Sequence, residues 1–243
     1  MQTLIGQIRA AANTYNLIEE GDKIAVGVSG GKDSLVLLYA LSKLKEYHDK
    51  SFEVVAIAVD PQFNNEPLDY SKIEKLCEEL CVPLIIRRTQ LSKVIFEERK
   101  EKNPCSLCAK MRRGILHNMC KELSCNKLAL GHHLDDAAET FVMNLYYGGN
   151  VSCFAPKTYL SRKDLTLIRP MIFCEEKDVA KAARKYELPI TKAKCPVDGD
   201  TKREETKNYL KNLEKQIPDI RNKIIGAMQR GNISGWGKNE TIL

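Results

Sequence analysis

The feature that most constrains the fold is a segment near the amino terminus with two apolar runs separated by two glycines. Residues 24–28 have the length and β-branched content of a strand, whereas residues 35–41 fit a helix. Gly30 and Gly31 lack a Cβ, so the backbone between the two runs can turn sharply and expose its amides. Because a helix N-terminus offers unpaired N–H groups, this strand, loop and helix predict a site for an anion such as phosphate.

The polar side chains of the same loop strengthen this prediction. Lys32 adds a positive charge, and Asp33 would repel a phosphate unless a cation such as Mg²⁺ lay between them. An ordinary strand-to-helix turn remains the alternative. The Walker A spacing is absent, which argues against NTPase chemistry of that kind. The predicted phosphate-binding residues are Ser29, Gly30, Gly31, Lys32, Asp33 and Ser34.

Strand-like and helical segments alternate along the chain, which predicts an α/β fold. Apolar runs of strand length occur at residues 24–28, 52–59, 83–86, 127–131 and 165–168. We therefore expect a doubly wound, mostly parallel five-stranded sheet with helices on both faces and a small helical C-terminal tail. The 243 residues would divide into an N-terminal helix (1–20), an α/β domain (21–190) and a C-terminal segment (191–243).

A second polar turn follows the fourth predicted strand. In a doubly wound sheet, ligands bind beyond the carboxyl ends of the strands, where the strand order reverses. If the first and fourth strands are neighbours, Asp33, Asp135 and Asp136 converge there, and Asp33 and Asp136 could hold Mg²⁺. Helix capping is the alternative for Asp135 and Asp136. The further nucleotide-binding candidates at this edge are Asp60, Gly131, His132 and Asp135.

The composition indicates the cellular compartment and the kind of partner to expect. No apolar run reaches membrane-spanning length and the amino terminus lacks a secretory pattern, so we expect a cytoplasmic protein without a membrane partner. The chain has 38 basic and 32 acidic residues, a net charge of +6, which suits a polyanionic partner without demanding one. In that compartment the nine cysteines are expected to be buried thiols, metal ligands or redox groups rather than disulfides.

Three cysteines stand out by context. Cys105 and Cys108 lie three apart, on one face of a predicted helix, so both could grip one metal or cluster. No second C-x-x-C pair exists in the chain, which argues against structural zinc. Cys195 lies in a polar, basic, irregular segment, and three thiolates suit an iron–sulfur cluster better than structural zinc. We assign core positions to the other cysteines, Cys77, Cys81, Cys120, Cys125, Cys153 and Cys174.

Several motifs together resemble a known family. They are the loop at residues 29–34, the Cys105 pair with Arg112 and Arg113, the turn at residues 130–136, Tyr147-Gly-Gly, and Ile168-Arg-Pro. In sequence order these motifs resemble the TtcA-type tRNA 2-thiocytidine synthetases of the PP-loop ATP pyrophosphatase superfamily. The resemblance extends over residues 22–204.

The resemblance implies a reaction and its cofactors. ATP with Mg²⁺ would adenylate the C2 oxygen of a cytidine, tRNA-cytidine(32), and sulfur from a cysteine desulfurase would replace that oxygen. Carried over by position, Cys105, Cys108 and Cys195 would ligate a [4Fe-4S] cluster. A homodimer is compatible with the resemblance. The implied catalytic residues are Lys32, Asp33 and Asp136, and the tRNA contacts are Lys110, Arg112, Arg113 and Lys194, for which solvated surface charge is the alternative.

Three other interpretations stay open on the sequence. A lysidine synthetase-like ligase would share the nucleotide site but leave the three cysteines without a role. A thiouridine-forming relative would thiolate a different base. A non-catalytic nucleotide-binding iron–sulfur protein would bind ATP without releasing pyrophosphate.

Overall fold

The centre of the protein is a six-stranded sheet in the computed structural model, which describes residues 1–63, 66–98, 104–191 and 202–237. Its strands are β1 (Asp22–Val28), β2 (Phe52–Asp60), β3 (Leu84–Arg88), β4 (Lys127–Ala129), β5 (Lys157–Leu160) and β6 (Leu165–Ile168). The helices are α1 (Gln2–Tyr15), α2 (Lys32–Leu44), α3 (Ser71–Glu79), α4 (Pro104–Glu122), α5 (Leu134–Tyr146), α6 (Glu176–Lys185), α7 (Lys202–Glu214) and α8 (Ile220–Arg230). A π-helix, Lys93–Glu98, precedes α4.

The strand order is β3-β2-β1-β4-β6-β5, and every pair is parallel except β5 with β6. The predicted α/β fold with a mostly parallel sheet is confirmed, and β1 and β4 are neighbours, which is the condition stated above for the convergence of their polar turns. The prediction of five strands was wrong by one. The sequence analysis missed β5 because it is a four-residue edge strand with half-exposed residues, without an apolar run.

Side chains of the central strands alternate between two hydrophobic layers, as a pleated strand requires. Ile24 and Val26 of β1 pack in the layer that includes α1, α2, α3 and α6, whereas Ala25 packs in the layer that includes α4. Both layers cover the sheet, which explains why β1 and β2 are almost continuously apolar. None of the helices in the described ranges is long and apolar enough to cross a membrane.

The two ends of the described chain pack against each other. Trp236 is fully buried, and its indole N–H donates to the carbonyl oxygen of Phe154 at 2.9 Å. The Tyr15 hydroxyl of α1 donates to the carbonyl oxygen of Trp236 at 3.1 Å. The C-terminal helices are therefore anchored to α1, and α7 and α8 both contact α5. The division at residues 20 and 190 stays a prediction.

A buried ion pair secures the end of the sheet that lies opposite the predicted phosphate loop. Lys127 opens β4 and is 2% exposed, and its ammonium lies 2.6 Å from the carboxylate of Asp22, which is also 2% exposed. The same ammonium donates to the carbonyl oxygen of Leu17 at 3.0 Å and lies 3.1 Å from Glu19. This network joins β4 to the segment that leads into β1.

Replacing Lys127 by alanine is expected to lower the free energy of unfolding by about 3–5 kcal/mol, because Asp22 would remain buried without its partner. The measurement is urea denaturation at neutral pH. The control is Lys157→Ala, which removes a half-exposed lysine 3.2 Å from the same Glu19 and should cost about 1 kcal/mol or less. Equal losses for the two variants would contradict the assignment.

Candidate functional site

Two serines shape the glycine loop, residues 29–34. The Ser29 amide donates to Oγ of Ser34 at 3.1 Å, and the Ser34 hydroxyl donates to the carbonyl oxygen of Gly31 at 2.9 Å. The Gly31 amide donates to Oγ of Ser29 at 3.3 Å. Gly31 is the N-cap of α2, and no side chain caps the helix. The first-turn amides of α2 are therefore left for an external anion.

The glycines allow two other segments to touch this loop. Gly30 has φ +82°, and a Cβ added there would lie 2.6 Å from the carbonyl oxygen of Thr191. The Thr191 amide donates to the Gly30 carbonyl at 2.9 Å, so the segment after α6 runs against the loop. A Cβ at Gly131 would lie 3.1 Å from the backbone of Asp33 and Ser34. The turns after β1 and β4 are thus in direct contact.

A cavity of about 320 Å³ opens where these turns meet. Its position at the carboxyl ends of β1 and β4, between which the strand order reverses, is where doubly wound folds bind ligands. Arg112 and Leu116 of α4 form one wall. The other lining residues are Gly27, Val28, Ser29, Asp33, Ser34, Val59, Leu130, Gly131, His132 and Asp136.

The cavity brings together the two carboxylates that were predicted to hold Mg²⁺. Oδ1 of Asp33 is buried and accepts no hydrogen bond, although the Lys32 ammonium lies 2.9 Å away. Asp136 accepts from the His133 amide at 2.9 Å and donates its own amide to Nδ1 of His133 at 3.4 Å. Asp136 therefore caps α5 and lines the cavity at once. Oδ1 of Asp33, which faces the Lys32 ammonium, is a carboxylate oxygen of the kind that Mg²⁺ prefers, and the magnesium assignment stays a prediction.

Two other predicted nucleotide contacts point elsewhere. The Asp60 carboxylate accepts from the amides of Gln62 and Leu68 at 2.9 and 3.0 Å, which orders the segment after β2. Asp135 accepts from the Glu176 amide at 2.7 Å and pairs with Arg221 at 2.9 Å. Neither side chain lines the cavity. Nucleotide binding stays a prediction for both, and their observed contacts are structural.

The partners of Lys32 are not apparent from the sequence. Its ammonium lies 3.2 Å from Glu176 of α6, and the ammonium of Lys207 of α7 lies 2.9 Å from the same carboxylate. Burial favours the neutral acid, but the hydrogen bond from Lys207 and the charge of Lys32 lower the pKa of Glu176 to about 2. Arg203 of α7 similarly lies 3.6 Å from Asp136. No local pattern indicates these residues, because they reach the site from remote helices.

His132 is held on an aromatic support beside the cavity. Its ring centroid lies 4.9 Å from that of Phe154, and the Arg169 guanidinium lies 4.9 Å above the other ring. Burial lowers the pKa of His132 to about 4, so its imidazole is neutral near pH 7. Its Nδ1 is buried and makes no hydrogen bond. The neutral ring can therefore form a hydrogen bond with a ligand through Nδ1 without adding charge to the cavity.

The cysteine pair lies on the helix that forms a wall of the cavity. Cys105 is exposed and Cys108 is half-buried at the start of α4, and neither is in a disulfide. Cys108 precedes Arg112 by one helical turn. Cys195 and Lys194 lie outside the described residues. Within the described ranges, no group of three His, Cys, Asp or Glu side chains could hold a metal ion.

Most of the other cysteines occupy the core, as predicted. Cys77, Cys120, Cys125 and Cys174 are buried, and burial raises the pKa of the Cys120 and Cys174 thiols to about 12. Cys153 is half-buried. The prediction for Cys81 was wrong: it follows the end of α3 with φ +50° and is exposed.

Comparison with known proteins identifies the family. A family model described as the PP-loop domain matches residues 3–214. The chain belongs to the PP-loop family. Within it, the chain is 40% identical over 226 residues to a tRNA-cytidine(32) 2-sulfurtransferase from Syntrophotalea carbinolica, covering 92% of this chain and 86% of the relative. It is 37% identical over 223 residues to a protein of the same name from Geotalea uraniireducens, covering 90% and 87%.

A solved PP-loop protein shares the fold. The U34-tRNA thiolase NcsA from Methanococcus maripaludis, solved with its [4Fe-4S] cluster, superimposes with a TM-score of 0.73 and 30% identity, covering 93% of this chain and 77% of NcsA. The relatives confirm the predicted resemblance to the tRNA 2-thiocytidine synthetases, a family of ATP-using enzymes. The glycine loop of this chain is accordingly its PP-loop.

Gly30→Ala is expected to weaken ATP binding by about tenfold or more and to cost about 1–3 kcal/mol of stability, because the PP-loop would separate from Thr191. Calorimetric titration with ATP and thermal unfolding measure the two effects. The control is Gly6→Ala in α1, where an added Cβ meets nothing within 4 Å and the helix should gain roughly 0.5–1 kcal/mol. Unchanged ATP affinity of Gly30→Ala would contradict the role of this contact.

A buried carboxyl lies one helical turn beyond Asp136. Glu139 is 4% exposed, and burial, reinforced by the charge of Asp136, raises its pKa to about 7. A folded-state pKa above the unfolded value of about 4.3 means that the folded protein binds the extra proton. The group therefore costs stability increasingly as the pH rises from about 4 through 7.

Glu139→Gln is expected to raise the free energy of unfolding at pH 8 by about 2–3 kcal/mol, since the pKa difference spans more than two units. At pH 4 both side chains are neutral, so the gain should vanish. Urea denaturation across this range measures it. The control, Glu78→Gln at an exposed position of α3, should show no such dependence. A gain for Glu139→Gln that did not change with pH would contradict the prediction.

Proposed function

We propose that this protein uses ATP to replace the C2 oxygen of cytidine 32 in tRNA by sulfur. Two independent comparisons support thiolation: the curated relatives are tRNA-cytidine(32) 2-sulfurtransferases, and the structural neighbour is a U34-tRNA thiolase with a [4Fe-4S] cluster. The relatives favour cytidine over uridine as the target.

One observation carries the proposal: the PP-loop and the cysteine-bearing helix open onto the same cavity. Arg112 lines that cavity, and Cys108 lies four residues earlier, about 6 Å along the axis of α4. Thr191 touches Gly30, and Cys195 follows it by four residues, a span of at most about 14 Å. The proposal therefore puts Cys105 and Cys108 beside the nucleotide, and the chain length after Thr191 is compatible with Cys195 as the third cluster ligand.

The proposed first step is adenylation. The amides of Gly30 and Gly31, with Lys32, hold the phosphates and stabilise the departing pyrophosphate. Mg²⁺ would bind near Asp33 and Asp136 and screen the developing charge. The cytidine O2 attacks the α-phosphorus and pyrophosphate leaves. An amide-like oxygen is a poor leaving group, but as an AMP ester it departs when sulfur forms its bond to C2.

The residues present fit an iron–sulfur cluster. Cys105 and Cys108 lie on the first turns of α4 and neither is in a disulfide, and thiolates are the ligands that such clusters take. Cys105, Cys108 and Cys195 would hold a [4Fe-4S] cluster, which would supply a site for sulfur delivered by a cysteine desulfurase. The alternative without sulfur chemistry, a lysidine synthetase-like ligase, leaves these thiols unexplained.

The proposed substrate is a loop nucleotide of tRNA in the cytoplasm. A base in a single-stranded loop can leave its stack at low cost, as entry into the cavity requires. Lys110 and Arg113 are exposed, and Arg112 lies at the cavity wall. These three residues, with Lys194, would contact tRNA phosphates beside the reacting base. A homodimer is compatible with this arrangement.

Mass spectrometry of tRNA nucleosides from a deletion strain tests the proposal. We expect 2-thiocytidine to disappear and to return with the wild-type gene, but not with Cys105→Ala or Cys108→Ala. The matched control is Cys81→Ala, which removes another exposed cysteine just after α3, in the helical layer opposite α4, and should restore the modification. Loss of a thiouridine or of lysidine instead would transfer the function to one of the rival PP-loop reactions.

Analysis of the same proteins, purified without oxygen, distinguishes the proposed thiolation enzyme from a non-catalytic ATP-binding iron–sulfur protein. The wild type should contain iron and acid-labile sulfide and release pyrophosphate in the presence of tRNA. Cys195→Ala should lose most of the iron while Cys81→Ala keeps it. A wild-type protein without iron, or without tRNA-dependent pyrophosphate release, would overturn the mechanism.

A further inference from the structure

We propose a second tRNA-binding site, at the far end of α4 from the cysteines, that takes backbone phosphates of the same tRNA. We call it the turn site, and it consists of His117 and Lys121 of α4 with Arg162 and Lys163 of the β5–β6 turn. It rests on the proposed function in one respect, that the substrate is tRNA. Its residues are separate from those that line the PP-loop cavity.

The turn site is a cavity of its own. It has a volume of about 430 Å³ and includes Asn126, before β4, and Leu165, the first residue of β6. The PP-loop cavity instead includes Leu130, after β4. The two openings are therefore separated by about 13 Å along this strand. A small ligand in one cavity would not fill the other, but a polymer could contact both.

Three basic side chains of the turn site form no ion pair within the part of the chain that the structure describes. Lys121, Arg162 and Lys163 are exposed, and none forms an ion pair with any residue of the described ranges. Asp164 is the acidic residue that lines the cavity, and it accepts a hydrogen bond from Tyr159 at 2.8 Å. By contrast, Lys202 and Lys207 of α7 each pair with a glutamate at 2.9 Å. Unpaired positive charge concentrated at one cavity favours an anionic partner.

A buried polar atom points to the same ligand chemistry. His117 lines the cavity, is 9% exposed, and its Nε2 is buried without a hydrogen-bond partner. Buried side-chain nitrogens in folded proteins are nearly always hydrogen-bonded, so an unsatisfied one requires an explanation. A phosphate oxygen accepting from Nε2–H would satisfy it. The neighbouring Lys163 already donates to Asn118 at 3.3 Å, which holds the β5–β6 turn against α4.

The turn site continues a row of basic side chains along α4, in which His117 is the neutral member because burial lowers its pKa. Lys110, Arg113, His117 and Lys121 follow one another at spacings of three and four residues, so they share one face of the helix. The row spans about 16 Å. The one acidic residue of α4, Glu122, pairs with Arg87 at 2.5 Å. A row of this length that begins beside the cysteine pair matches a chain of successive phosphates, and RNA is the polyanion that the reaction brings to α4.

The inference is tested by measuring the tRNA affinity of the double variant Arg162→Ala/Lys163→Ala, which we call the turn-site variant. The control double variant is Lys72→Ala/Lys75→Ala, which removes two exposed lysines of α3 on the opposite face of the sheet. An unmodified tRNA transcript is titrated at a series of KCl concentrations, and ATP affinity is measured in parallel. We expect the turn-site variant to bind tRNA about 5–20-fold more weakly, with a salt slope lower by roughly 1.4–1.8, for two lost phosphate contacts. The control and the ATP affinities should match the wild type.

The outcomes separate this inference from the proposed function. Wild-type affinity and salt slope in the turn-site variant would overturn the inference and leave thiolation intact. An equal loss of tRNA affinity in the control variant would also overturn the inference, because the loss would then reflect the lower net charge of the protein rather than a specific site. Lost thiolation with unchanged tRNA affinity would reassign the surface to a protein such as the sulfur donor. If the wild type bound no tRNA, the inference and the proposed function would both fall.

Discussion

The structure of the site depends on the close approach of three backbone segments at the PP-loop. Gly30 touches Thr191 and Gly131 touches Asp33, and in each case a Cβ would lie within about 3 Å of main-chain atoms. Main chain cannot move aside as the end of a flexible side chain can, so these contacts require glycine. They place the turns after β1 and β4 and the segment after α6 at one point. These backbone contacts therefore determine where the other residues of the cavity lie.

Charge organises the surroundings of this junction. The ammonium of Lys32 lies between the carboxylates of Asp33 and Glu176, and Lys207 holds Glu176 from the other side. Such half-buried alternating charges stabilise one another more than exposed pairs do, because less water screens them. In the proposed function, a triphosphate would compete with these carboxylates for Lys32. Arg203 and Lys207 then supply further positive charge from α7.

A structural feature can be predicted from the sequence when the residues that determine it are close together in the chain. The PP-loop is predictable because its strand, glycines, polar residues and helix are contiguous. The α/β alternation predicts parallel strands, but the pairing of β1 with β4 depends on the strand order, which no local pattern indicates. The capping and ligand interpretations of Asp136 are both compatible with its position, since Oδ2 accepts from the His133 amide whereas Oδ1 faces Arg203 at 3.6 Å. Glu176 and Arg221 are not predictable, because their contacts form only once remote helices pack. The edge strand β5 escapes detection since it buries too little apolar surface to show a pattern.

The two edges of the sheet are protected in similar ways. β3 ends in Arg87 and Arg88, and β5 begins with Lys157 and is four residues long. An unpaired strand edge is otherwise a template onto which another chain can add a strand, and short, positively charged edges resist this. Arg87 pairs with Glu122 and Lys157 with Glu19, so Arg88 supplies the charge that a second molecule meets at the β3 edge, and at the β5 edge the short strand limits pairing. The protein can thus keep an open sheet at high concentration without growing into a continuous intermolecular ribbon.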